Sequence, residues 1–226
     1  MMSREKKRSS PAAHVQEKLE SLYGIEIPGR VDDFLIGTEI AQKYFLRKNS
    51  GKVPPELLFV REGAGQSFEV ALYVDPKVLT QLSSAGPSRS GGGVSLSNLC
   101  ILIEGVSHFN YLVWKGARGI PVTQLELELQ AEIDKFLFLF LTGSSRRENR
   151  DPHQLLDFLF DRFSLRNRLS PEERERYLTA SSLASHYCFD LQKRYFSRPD
   201  RRDWITREAR NFYALSQHDK ISRILH

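Results

Sequence analysis

The chain has 226 residues, 40% of them hydrophobic and 27% charged, with 33 basic against 28 acidic side chains for a formal charge of +5. That balance excludes a disordered polyelectrolyte and fits one domain, or one domain with a small lobe, long enough to bury a substantial core. No run approaches the roughly 18 apolar residues of a membrane-spanning helix, the greasiest being FLFLFL at 136–141, so a soluble protein of the cytoplasm is expected.

Residues 1–12 open with a basic tail, MMSREKKRSS, which is expected to be disordered and has no apolar segment after its basic residues, unlike a signal peptide. From 13 to 23, Val15, Leu19 and Leu22 share one helical face. IEIPGR ends that helix, and VDDFLIGTEIAQKYFL predicts a second short one with an irregular start. In the next segment two apolar runs flank Gly63-Ala64-Gly65. Phe68, Val70, Leu72 and Val74 alternate with Glu69, Ala71 and Tyr73, the period of a strand with one buried face. The glycines suit a hairpin loop longer than two residues. Asp75 and Pro76 are an N-cap and a first helical residue for the short helix KVLTQL. Residues 13–82 are therefore expected to form a small α+β lobe containing a hairpin.

Residues 83–95, SSAGPSRSGGGVS, have the composition of a flexible Gly/Ser linker. They lack the lysine that a phosphate-binding loop places after its last glycine, and no strand precedes them closely. Beyond them the pattern is helical to the end. A helix over 96–116 stops at Gly116 and Gly119. Pro121 opens another over 122–142, stopped by Gly143. SSRRENR is a polar loop, and Asp151-Pro152 opens a helix through HQLLDFLFDRF. Ser170, Pro171 and Glu173 form a capping box for a helix running to about Phe196. After SRPDRRD, a further helix carries Trp204, Ile205, Phe212 and Tyr213. Ser216 and Asp219 mark a last short helix, KISRILH. The fold class expected is α+β: a small N-terminal lobe with a β-hairpin, then a predominantly α-helical bundle of about five helices over 96–226. Cys100 and Cys188, both in apolar helical contexts, are expected to be reduced core thiols.

The helix over 96–116 is apolar around most of its circumference and is expected to be central. Its remaining stripe holds Glu104, His108, Leu112 and Lys115. The next helix has two apolar faces separated by two polar stripes, one of Gln124, Glu128, Glu132 and Lys135, the other of Glu126, Gln130 and Asp134. A helix that packs on two sides buries at least part of such stripes. The plain expectation is a local Glu104–His108 hydrogen bond, with the acids of the second helix bonded to arginines from the C-terminal helices. A sharper alternative brings Glu104, His108, Glu128 and Glu132 together with His186 as ligands of iron, manganese or zinc, as carboxylates and imidazoles do inside helical bundles. The paired Glu and His three residues apart of the di-iron proteins are missing, and no cofactor is expected. Ser107 and His108 are helix neighbours that point apart, and EGVSH lacks the G-x-S-x-G of a nucleophile elbow.

The C-terminal third interleaves arginines with aromatics. Arg198, Arg201, Arg202, Trp204 and Arg207 are the candidate contacts for nucleic acid or an acidic partner. Interspersed Asp200, Asp203 and Glu208 point instead to a solvated face with ion pairs. The function expected from these features is protein interaction, as an accessory, scaffold or adaptor protein without catalysis. A protein partner would complete the short strand pair by edge pairing. A metal-dependent helical enzyme and a nucleic-acid-binding protein are the alternatives.

Overall fold

The computed structural model describes residues 9–47, 51–63, 68–84, 95–143, 152–161 and 170–226. The start of the basic tail (1–8), most of the expected linker (85–94), the polar loop with Asp151 (144–151) and the basic stretch at 166–168 lie outside the described residues. Two strands and nine helices are present among the described residues, an α+β architecture with a dominant helical bundle.

Helix α1 spans Pro11–Tyr23 and opens inside the segment expected to be tail. Ser10 accepts the Ala13 amide at 3.0 Å and proline occupies the first turn, two start signals that act together. Gly24 ends the helix in the left-handed conformation (φ 66°), where glycine carries no Cβ penalty. A 3₁₀ turn, Val31–Phe34, precedes α2 (Thr38–Phe45), the irregular start expected.

Strands β1 (Glu56–Glu62) and β2 (Phe68–Val74) pair antiparallel, with Leu58 opposite Leu72 and Glu56 opposite Val74. One face of the hairpin carries Phe68, Val70, Leu72 and Val74, as the alternation predicts, and rests on α4 (Leu96–Gly116). Two glycines permit the contact. A Cβ on Gly105 would lie 3.2 Å from a Leu72 methyl and 3.6 Å from the Glu56 Cβ, and one on Gly116 would overlap the Phe68 ring. Gly116→Ala is therefore expected to cost about 1–3 kcal/mol through forced repacking, although alanine is the better helix former. An unchanged urea midpoint would show that Phe68 swings aside freely. On the other edge of β2, Leu35 makes a parallel bridge to Leu72, and the Ile36 amide donates to the Leu72 carbonyl at 2.9 Å.

Helix α3 (Pro76–Ser84) follows the hairpin. Helix α4 begins and ends where expected, with Ser95 as N-cap. Helix α5 (Gln124–Thr142) opens at the Thr123 cap, two residues after Pro121, because the Thr123 hydroxyl accepts the Glu126 amide at 3.1 Å. Helix α6 (Pro152–Leu156) continues as a π-helical turn, Asp157–Asp161. The capping box at Ser170 and Glu173 opens α7 (Pro171–Phe196). Helices α8 (Arg201–Ala214) and α9 (Gln217–Leu225) complete the chain.

Helix α5 lies between α4 and α7, while α1 packs on α4 and α8. Leu19, Leu72, Val106, Phe109, Leu129, Phe136, Ile205 and Phe212 belong to one continuous apolar core, which the hairpin and the bundle share. Both cysteines are free thiols. Burial pushes the Cys188 thiol well above its ordinary range, which keeps it unreactive. Among the described residues no helix is long and apolar enough to cross a membrane.

Candidate functional site

Apart from the exposed Gln124, both polar stripes of α5 are buried, and each anchors a separate charged network. The apolar faces between them are taken by α4 on one side and α7 on the other, so the stripes are enclosed at the seams.

The first network joins α4, α5 and β1. His108 lies between two carboxylates, with Nδ1 3.7 Å from Glu56 and Nε2 3.6 Å from Glu128. Burial alone would pull the imidazole pKa down. The contacts from Glu128 and Glu56 outweigh that effect and hold it well above the ordinary value, so the ring is a cation near neutrality. Next to it, Lys135 reaches Glu132 at 2.7 Å and Glu104 at 3.3 Å. The two carboxylates similarly overcome the burial of its ammonium and raise its pKa. Glu56 and His108 are enclosed, and the rim of the seam is formed by Glu104 and Glu128, whose side chains are 13% and 11% exposed.

The expected partners are thus reassigned. Glu104 and His108 are one turn apart on α4, but Glu104 faces Lys135, and the imidazole faces β1 and α5. Three of the α5 acids, Glu126, Glu128 and Glu132, pair with lysines and a histidine, and the C-terminal arginines stay at the surface with acids of their own. His186 is exposed on α7 and does not join the seam. Lys135 supplies the positive charge between Glu104 and Glu132 that a metal ion would otherwise bring. Among the described residues no three His, Cys, Asp or Glu side chains converge as a metal site would require.

The second network joins α1, α4, α5 and α9. Asp134 is 1% exposed and accepts from the Ser107 hydroxyl at 2.6 Å, the Gln130 amide at 2.8 Å and the Tyr23 hydroxyl. Burial raises its pKa, opposed by those three hydrogen bonds and the Lys220 charge. Lys220 donates to the Tyr111 hydroxyl and the Gln130 carbonyl oxygen, each at 2.7 Å. Tyr111 donates onward to Glu126 at 2.6 Å. Lys115 sits 3.4 Å from Glu126 and donates to the Leu215 carbonyl at 3.0 Å. A continuous hydrogen-bonded chain runs from Tyr23 through Asp134, Gln130, Lys220 and Tyr111 to Glu126, where Lys115 ends it as an ion-pair partner.

Of the candidate arginines, Arg198, Arg201 and Arg207 are engaged within the chain. Arg198 and Arg194 lie 5.0 and 5.2 Å from the centroid of the buried Trp204 ring, and Arg201 lies 5.6 Å from that of Tyr195. Arg207 pairs with Asp200 at 3.1 Å, and Arg202 is exposed. Cation–π stacking occupies the ring faces that would otherwise stack on bases.

Sequence reasoning missed Glu56 and Lys220. Glu56 had a visible signal, since it is in phase with Leu58 on the core face of β1. Lys220 had none in its own helix. No family model, no curated protein and no solved structure matches the chain.

Proposed function

We propose that this protein acts in the cytoplasm without catalysis, as an accessory protein that binds an extended segment of a protein partner along the outer edge of β1. The observation that carries this reading is the exposed apolar surface on both sides of that edge. Val60 is 52% exposed on the α4-facing side of the strand, and on the opposite side Phe59 meets Tyr44 at 6.0 Å between ring centroids. Ile40 and Tyr44, one turn apart on α2, are 47% and 45% exposed. The far edge of β2 is taken by Leu35, while β1 has β2 as its strand neighbour among the described residues. An added strand gains main-chain hydrogen bonds from such an edge and places alternate side chains against its two faces. The polar residues a catalyst would use support the same reading, because they are enclosed and largely paired with one another.

The test is affinity capture with wild type, Val60→Lys, Tyr44→Glu and, as a surface control on α7, Phe189→Ser. The expected result is one protein held by wild type and the control, with the two edge variants weakened at least about tenfold. Equal capture by all four chains, or no capture by any, overturns the proposal.

A further inference from the structure

Helix α9 is anchored by the opposite of what an amphipathic helix ordinarily buries. Its one buried side chain is Lys220, which is fully enclosed, whereas Ile221 and Ile224 are half-buried and Leu225 is 62% exposed. A lysine is almost never fully buried unless something specific receives its amine. Here the receiver is complete. Nζ lies 4.3 Å from the ring centroid of Tyr111, 5.3 Å from Phe212 and 5.9 Å from Tyr213. Its two acceptors are the Tyr111 hydroxyl and the Gln130 carbonyl oxygen. The donors of both acceptor groups are committed elsewhere. Tyr111 gives its proton to Glu126, and Gln130 gives its amide to Asp134 and Tyr23. Both groups therefore present lone pairs alone to Nζ. A hydroxyl carries one hydrogen and would satisfy one of them. An amine satisfies both.

We propose that Tyr111, Gln130, Phe212 and Tyr213 form a primary-amine binding site, built by α4, α5 and α8, which Lys220 occupies as a ligand carried on the last helix of the chain. The site accepts the amine in either protonation state near neutrality. Burial pulls the pKa of Lys220 down to about 7, opposed by Glu126 and Asp134 and assisted by the neighbouring charge of Lys115. Occupancy of this site, more than apolar burial, holds α9 in place, together with the bidentate Arg223–Glu208 pair at 2.7 and 3.0 Å.

The test is chemical rescue in the full chain. Lys220→Ala deletes Cγ, Cδ, Cε and Nζ, the atoms that n-propylamine supplies. Thermal melts of Lys220→Ala are recorded with n-propylamine, with n-propanol and with matched potassium chloride, beside wild type and Lys220→Met, whose side chain fills the cage without an amine. The expected result is a saturable rise of several degrees in the Lys220→Ala midpoint with propylamine, and no comparable rise with propanol, in wild type or in Lys220→Met. Adding Tyr111→Phe to Lys220→Ala removes most of the rise. An equal response to propanol, an equal response in Lys220→Met, or no response to the amine overturns the proposal. If Lys220→Ala does not fold in buffer, refolding from urea decides. Recovery of helical circular dichroism with propylamine and not with propanol supports the site, and no recovery with the amine refutes it.

Discussion

Replacing Asp134 with alanine is expected to lower the unfolding free energy by about 3–5 kcal/mol, the scale for removing one partner from a buried charged network. The carboxylate receives hydrogen bonds from helices α1, α4 and α5 at once, through Tyr23, Ser107 and Gln130. Its loss strands a buried phenol, a buried hydroxyl and one amide hydrogen, each costing about 1–3 kcal/mol when left without a partner. It also leaves the positive charge of Lys220 less compensated. Asp134→Asn keeps one carbonyl acceptor and should cost distinctly less. Urea titration followed by circular dichroism separates the two. A loss below about 1 kcal/mol for the alanine variant would mean that water replaces the carboxylate and that the network does not hold the three helices together. The double variant Asp134→Leu with Lys220→Met is expected to recover part of the loss, since it removes a negative and a positive group together and fills their space with apolar side chains.

The contrast between the stripes of α5 and their partners shows how far the sequence could be read. The end of α4 and the start of α7 were legible because local chemistry sets them: Gly116 and Gly119 stop one and the Ser170–Glu173 box opens the other. The hairpin face was legible because strand alternation leaves one reading of Phe68, Val70, Leu72 and Val74. The burial of α5 on two sides followed from its two apolar faces. What did not follow was which cation meets which acid. An acidic stripe states that compensation is needed without naming its source, and arginine-rich helices downstream looked like the supply. The structure draws instead on Lys115 and His108 of α4 and Lys135 of α5 itself, while Lys220 of α9 donates to Tyr111 and Gln130. Long arginines reach surface acids and aromatic faces without being desolvated. A seam closed on all sides favours the shorter, point-like amine. In α9 the local pattern was misleading in a specific way. Ile221 and Ile224 give the helix an apolar side, yet the position directed into the bundle is Lys220, because Tyr111 and Gln130 wait there on other helices.

The two networks should show themselves separately in the dependence of stability on pH, with opposite signs. His108 has a folded-state pKa raised above its unfolded value of about 6.5. Its contribution is therefore complete below pH 6.5 and is lost as pH rises through the folded value. Lys220 has a folded-state pKa depressed from 10.5 to about 7. Between those values the unfolded chain binds a proton that the native chain does not, so stability gains as pH rises from about 7 toward 10.5. In wild type the two trends oppose each other above neutrality, and the net curve understates both. His108→Gln removes the falling contribution and leaves Glu56 and Glu128 facing an uncharged amide. It is expected to cost about 3–5 kcal/mol near pH 6 and to leave a stability that climbs between pH 7 and 9. Lys220→Met removes the climbing contribution and leaves a stability that falls over the same range. Urea midpoints of the three chains at half-unit pH steps test the pair of signs. Parallel curves for all three would show that neither buried group changes its protonation on unfolding, and that His108 and Lys220 are held by packing alone. Divergent curves would establish that α5 is flanked by two proton-linked seams, one locking the hairpin and the other locking the C-terminal helix.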